Sequence, residues 1–547
     1  NDLELFSNPF YNNLLDKEPF DEQSDLLVQN TLSAILFGGS HRTVPESGGG
    51  WSWTDLRRMN TLLEYADMCE DKEAVTKYTA VTRFFRAFFY FEKVKRFGDV
   101  PWYDIQLGSA DELLYKPRDS RELILTKMLE DIDYAINSGG LTESAADPYH
   151  VNKWAALALK AQFCLYEGTY RKYHRVDPST GKAWDPEYNK DNKWLREAAD
   201  ACEELMEAGV YSLVNSPADV ATQYRSLFTS PSVLKQEVMW AREYNDEKNV
   251  RHDVTWYFTS GSMGQGWSLD ADFVYTYLNR DGSRFTDRAD YKSTTYAEQF
   301  ENRDYRLQQT VISPEYRKLV GGTSKLFAPD LSVSYTGYQV IKFNIDDKAY
   351  ESASVSYNSL PIMRYAEVLL NYAEAKAELG EFSDDIWNKT IKPLRERAGV
   401  DGKRPTSADP YLQQYYGLSD SDLLEIRRER AIELLLEGFR YDDLMRWHAG
   451  ELLNKQWYGI YIPAMDTSYD LNGDGINDVC VTSGEAGNEP GVTYIILDNS
   501  KYSLENGTTG RLLYTVGRNF EEKRYLRPIP KTALNINPDL GQNYYWR

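Results

Sequence analysis

The chain has little cysteine, little histidine and no long apolar run, and each shortage excludes a class of function. Its four cysteines, Cys69, Cys164, Cys202 and Cys480, lie far apart and form no CxxC pair. Zinc sites need closer ligand spacing, so the expectation is four buried free thiols. The five histidines, His41, His150, His174, His252 and His448, make no HExxH pair. The phosphate-loop, nucleophile-elbow and dinucleotide-binding glycine signatures are also missing. "GSMGQG" at 261–266 is rich in glycine but carries no phosphate-binding lysine, and it reads as a loop. No stretch of 18 apolar residues is present, so no membrane-spanning helix is expected. No basic-then-apolar leader opens the sequence, and "NDLELFSNPFYNN" reads as the start of a mature or trimmed protein. Positive charge is short too. Lys and Arg number 62 against 84 Asp and Glu, a formal charge of −22. That sign disfavours nucleic-acid backbones and anionic lipid surfaces, both of which are held by clustered cations.

Aromatic residues are abundant: 41 Tyr, 21 Phe and 13 Trp. Such a chain can bury a large core and still present rings at its surface. Helical periodicity is strong over 74–97, 121–137, 151–167, 192–209 and 363–380. The first of these should stop at "GDVPW", where Gly98 and Pro101 follow. The small residues of "VNKWAALALKAQFCLYEG" should let a neighbouring helix approach closely. Recurring Ala, Tyr and Leu in paired helices predict a mainly α fold of tetratricopeptide-like repeats, about four helix pairs. The repeats are interrupted. Residues 211–359 are rich in Ser, Tyr, Gly and Asn, with strand-like pieces "EVMWARE" and "GYQVIKF". They read as a large loop-rich insertion, and 451–547 as a loop-rich end. With no clean linker, the expectation is one domain over 1–547, helical repeats occupying about 55–210 and 360–450.

"EIRRERAIELLLEGFRYDDLMRW", residues 425–447, spaces Glu425, Glu429, Glu433 and Glu437 four residues apart. Like charges at that spacing repel on an exposed helix. Arginines intervene, and i,i+3 pairing predicts Glu425 with Arg428, Arg430 with Glu433, and Glu437 with Arg440. Ser419 and Asp422 suggest a capping box, and Gly438 a helix end or bend. An acid/base site would need two carboxylates of separated pKa facing a cleft. Acids that each have a guanidinium in reach stay ionised, so this stretch reads as an internal ionic brace.

The same stretch closely resembles the C-terminal motif of the SusD/RagB family. "RFFRAFFYFEKVKRFGDVPW" (83–102), "FENRDYRLQQTV" (300–311), "MRYAEVLLNYAEAKAELG" (363–380) and "YLRPIPKTALNINPDLGQNYYW" (525–546) resemble the family in the same order. The resemblance implies a cell-surface lipoprotein of Bacteroidetes that serves starch or polysaccharide utilization. Such a protein binds glycans, or in some branches peptides, without catalysis, and sits on a SusC-type TonB-dependent outer-membrane transporter. The lipid-bearing N-terminal cysteine of the family has no counterpart here, since the first cysteine is Cys69. The expectation is that signal and anchor precede this numbering.

Sugars present apolar C–H faces and rings of hydroxyls, so a binder needs flat aromatic platforms flanked by polar groups. Two stretches offer them. In "GGSHRTVPESGGGWSWTDLRRMN" (38–60), Trp51 and Trp53 supply rings, and His41, Arg42, Glu46 and Asp55 supply polar contacts. In "HDVTWYFTSGSMGQGWSLD" (252–270) the rings are Trp256, Tyr257 and Trp267. The alternative for each Trp is core packing. "DLNGDGIND" (470–478) matches a calcium loop through Asp470, Asn472, Asp474, the Ile476 carbonyl and Asp478. Its twelfth position is Val481, so the bidentate Glu is missing; an Asx-rich turn without metal is the alternative. No cofactor is expected beyond this structural Ca2+. Three functions compete: a glycan binder, a peptide or other nutrient binder on the same scaffold, and a glycoside hydrolase.

Overall fold

The computed structural model describes residues 2–15, 20–21, 24–29, 36, 43–261, 266–498 and 501–547. Helices dominate. Thr54–Tyr65 packs on Lys72–Phe97, which packs on Arg121–Asn137; Lys153–Tyr173 pairs with Lys193–Ala208. Local chemistry sets their ends. Asp71, Ser120 and Asn152 cap the second, third and fourth by accepting from Ala74, Leu123 and Ala155 amides. The long helix stops at Gly98, as its sequence requires. Gly168 marks the close approach expected of the small-residue helix. A Cβ there would lie 2.7 Å from Leu195 on the partner helix.

Lys193–Ala208 packs directly on Tyr365–Glu378, and the whole 211–359 insertion leaves and returns between them. The return is stitched by antiparallel strands Val238–Arg242 and Leu360–Arg364. Trp240, fully buried on the first strand, meets Phe84 and Phe85 of the long helix edge-on. Two main cores result, one inside the repeats and one inside the insertion and the sheets that follow it.

Several local expectations differ from the structure. "GYQVIKF" forms only isolated bridges, Gln339 to Ser268 and Val340 to Val311, and its Lys342 turns inward to the Leu435 carbonyl. The C-terminal stretch holds two three-stranded sheets rather than loops alone. One joins Trp457–Ile462, Gly510–Tyr514 and Tyr502–Leu504; the other joins Ser468–Tyr469, Val479–Thr482 and Thr493–Ile496. Cys164, Cys202 and Cys480 are buried free thiols, whereas Cys69 is partly exposed beside a helix end. No helix among the described residues is long and apolar enough to cross a membrane.

Candidate functional site

The glutamate ladder is buried, and its partners come from elsewhere in the chain. Glu425, Glu429 and Glu433 lie on the helix Ser421–Glu433, which Asp420, not Ser419 or Asp422, caps through the Leu423 amide. The helix ends before Gly438. Leu436 turns left-handed at φ 63°, so Glu437 sits outside it. Arg395 binds Glu425 at 2.5 Å and Glu429 at 2.8 Å. Arg306 bridges Glu429 and Glu433 at 3.1 and 2.9 Å. Arg364 reaches Glu433, Glu437 and Glu237 at 2.7, 2.7 and 2.9 Å, and Arg397 joins Glu433 to Glu237. Lys342 completes Glu437 at 2.7 Å.

Of the three i,i+3 pairs, only Glu425 with Arg428 forms, at 3.2 Å. Arg430 goes to Asp443 and Asn371, and Arg440 grips Asp25 with two nitrogens, because each finds a closer buried acceptor across the fold. Burial alone would raise the Glu425 carboxyl. The charges of Arg428 and Arg395 outweigh it and hold Glu425 at about 2. Glu433 is held well below the usual carboxylate range in the same way. These acids stay ionised and fully paired, the arrangement of a brace.

The two ring-bearing stretches do not come together. Trp51 and Trp53 are half-buried against the first repeats. Trp51 lies edge-on to Phe97 at 4.9 Å and to Trp53 at 5.3 Å, and Trp53 contacts Phe89 and Tyr103. The Lys93 ammonium donates to the Gly50 carbonyl at 2.5 Å and sits 5.3 Å from the Trp53 ring. These contacts hold both rings to the scaffold. Asp55 accepts from Asn13 and faces Arg58, and Glu46 is exposed beside Lys531. His41 and Arg42 lie outside the described residues.

In the insertion, the short helix Val254–Thr259 carries Trp256 and Tyr257, both half-buried. Trp267 is only 3 % exposed, packed edge-on to Phe20 and Phe258, and offers no open face to a sugar. It serves the second core instead. Beyond it, the structure supplies rings that the sequence reading missed. Strand register sets Tyr502 opposite Tyr514 and Tyr514 opposite Trp457, an aromatic row across three strands. Tyr335 stacks on Tyr514 at 4.5 Å with planes 6° apart and tilts toward Tyr502 at 6.3 Å. Its ring also covers Gly266, where a Cβ would fall 1.6 Å from a ring carbon. Tyr257 lies 6.4 Å from Trp267, whose chain neighbour Gly266 is the glycine that Tyr335 covers. Tyr257, Tyr335 and Tyr502 stay half-exposed while Trp267, Tyr514 and Trp457 are buried beneath. Arg518 lies 3.5 Å over Trp457 and fixes the far end.

The 470–478 loop closes the hairpin between Ser468–Tyr469 and Val479–Thr482. Asp470 accepts from the amides of Asn472, Gly473 and Gly475 at 3.1, 2.6 and 2.7 Å. Asp474 accepts from the Ile476 amide and Asp478 from the Leu471 amide. Burial, with Asp470 and Asp474 adding to it, pushes the Asp478 carboxyl up to about 6. The acids are thus drawn inward as Asx turns, with Ile476 exposed at the tip.

The SusD family profile matches residues 236–546, and one described as "Starch-binding associating with outer membrane" matches residues 4–150. SusD-like protein P38 of Formosa agariphila is 25 % identical over 397 residues, 68 % of this chain and 66 % of that protein. SusD-like protein P25 of the same organism is 22 % identical over 72 % of this chain and 69 % of its own. The chain therefore spans about two thirds of the length of these relatives. Among solved structures, a SusD-like protein of Bacteroides fragilis aligns at TM-score 0.70 and 19 % identity over 99 % of this chain and 96 % of its own. A SusD-like carbohydrate binding protein of that bacterium aligns at TM-score 0.67 and 20 % identity over 98 % of both. With more than half its length matched by the family profile and its fold shared from end to end, the chain belongs to the SusD family.

Proposed function

We propose that this protein is a non-catalytic glycan binder at the outer-membrane surface, lipid-anchored, which passes oligosaccharides to a SusC-type TonB-dependent transporter. The observation that carries the reading is a set of half-exposed rings, Trp256, Tyr257 and Tyr335 on the insertion and Tyr502 on the C-terminal sheet beside Tyr335. Rings pre-set by stacking can meet the C–H faces of a sugar with little loss of side-chain entropy. The match over residues 4–150 to a family described as starch-binding and associating with the outer membrane supports the same reading. The glutamates of the 425–437 ladder are committed to guanidinium and ammonium partners, which favours a bracing role over an acid/base one for that stretch.

The proposal includes a structural calcium ion in the 470–478 loop. Asp470, Asn472, Asp474, the Ile476 carbonyl and Asp478 would hold it, the carboxylates exchanging the turn's backbone amides for the ion. Affinity electrophoresis through a panel of neutral polysaccharides, starch included, tests binding. Retardation by at least one glycan is expected, and retardation by none would count against the reading.

A further inference from the structure

The turn Glu112–Tyr115, on the repeat side of the molecule, buries none of its four residues although three are large and apolar. Leu113, Leu114 and Tyr115 are 48, 37 and 50 % exposed. Hydrogen bonds hold the turn in this pose. Asp111 accepts from the Leu113 amide at 2.9 Å, and the Tyr103 hydroxyl donates to the Leu113 carbonyl at 3.2 Å. The segment that follows Tyr103 is tied to the helix Thr54–Tyr65. Asn60 donates to the Tyr103 and Ile105 carbonyls at 2.9 and 3.1 Å, and the Gln106 amide donates to Glu64 at 3.3 Å. These bonds set Ile105, 51 % exposed, alongside the end of that helix. Tyr65 and, in the turn after it, Met68 are 50 and 79 % exposed there. Single exposed apolar residues are ordinary, but a connected group with a polar border marks an interaction surface.

Charge decides what fits this face. Glu64, Asp67, Asp104 and Glu112 border it, all are exposed, and none makes an ion pair among the described residues. The neighbouring cations are engaged elsewhere. Lys116 holds Asp119 at 2.6 Å and the Trp102 carbonyl, and Lys72 reaches the Asp67 and Cys69 carbonyls. Arg57 and Arg58 lie about two turns back along Thr54–Tyr65. An acidic border repels anionic lipid, and a second copy would set acid against acid. It attracts an apolar surface edged with cations.

We infer that this face receives an amphipathic helix of a partner protein, apolar along one side and edged with Lys and Arg. Its apolar stripe packs on Ile105, Leu113, Leu114 and Tyr115, and its cations meet Glu64, Asp104 and Glu112. The face lies on the repeats, whereas the half-exposed rings lie on the insertion and the C-terminal sheet, and neither depends on the other. Titration calorimetry of the intact chain tests the assignment with a synthetic amphipathic helix of Leu and Lys (Lys on both edges of a leucine stripe), against a Leu and Glu helix of the same pattern. The Lys helix should bind with a stoichiometry of one and the Glu helix should not bind. Leu113→Ser/Leu114→Ser/Tyr115→Ser should weaken binding about tenfold and leave the thermal midpoint unchanged, since the turn buries none of its residues. Glu64→Gln/Asp104→Asn/Glu112→Gln should also weaken it and flatten its salt dependence. Leu319→Ser, an exposed apolar position on the insertion, should bind like the parent. No binding of the Lys helix, equal binding of the Glu helix, or equal binding by the triple serine variant overturns the assignment. Vesicles of phosphatidylcholine bound in place of the Lys helix would give the face to lipid, and a sedimenting dimer that the serine variant dissociates would give it to a second copy. Either result overturns the helix.

Discussion

Residues 425–443 and residues 470–478 are both crowded with carboxylates, one stretch in the interior and the other at the surface. In the first, Glu425, Glu429, Glu433 and Glu437 meet guanidinium or ammonium groups brought from Lys342, Arg364, Arg395 and Arg306. In the second, Asp470 and Asp478 are met by backbone amides of their own turn. The difference lies in what water can supply. A buried acid with no cation costs several kcal/mol, so the fold must recruit one over long sequence distances. An exposed acid keeps solvent and needs only local donors. The interior stretch therefore ties the insertion to the repeats, whereas the loop ties a hairpin to itself.

The contrast is sharpest on truncation. Glu433→Ala would leave Arg306, Arg364 and Arg397 partly uncompensated in the core, and about 3–5 kcal/mol of stability should be lost. Urea unfolding measures this, and a loss below about 1 kcal/mol would equate the lattice with a surface ion pair.

Acid separates the two regions next. Burial raises Glu374 and Glu425, but Arg446 beside the first, and Arg428 and Arg395 beside the second, pull them to about 2 from an ordinary 4.5. A carboxyl depressed in the folded state adds stability above its unfolded pKa, and that stability fades as pH falls through the folded value. Each contributes up to about 3 kcal/mol at neutral pH, on the order of 1.4 kcal/mol per pKa unit. The thermal midpoint should fall steeply between pH 4.5 and 2, and Glu425→Gln should flatten that fall.

The loop gives the smallest effect. Asp470→Ala removes the acceptor of three amides and should cost about 1 kcal/mol. If the loop holds calcium, EDTA lowers the melting temperature of the parent protein by a few degrees and leaves the variant unmoved. A parent midpoint indifferent to EDTA would sink the calcium proposal.

The helices were legible in the sequence because their signals are local. Asp71 three residues before Ala74, the apolar period of 74–97 and the Gly98 stop all sit within one stretch. The Glu425 to Arg428 pair was legible for the same reason. Arg306 to Glu433, 127 residues apart, was not, since no periodicity marks a partner on another element. The aromatic platform divides likewise. Trp51, Trp53 and Trp267 drew notice by size and by glycine neighbours; edge-on contacts bury Trp267 in the second core and leave Trp51 and Trp53 half-buried on the repeats. Tyr335 and Tyr502 looked ordinary until strand register and the stack on Tyr514 aligned them.

Glycan retention by the half-exposed rings of the insertion and the adjoining C-terminal sheet is the claim on which the functional reading turns. Affinity electrophoresis with a retarding polysaccharide, paired with an assay for released reducing ends, addresses it in one experiment. Retardation should be lost in Trp256→Ala/Tyr335→Ala/Tyr502→Ala, kept in Trp53→Ala, and accompanied by no new reducing ends. Undiminished retardation of the triple variant, or sugar ends accumulating with the parent protein, would contradict the account.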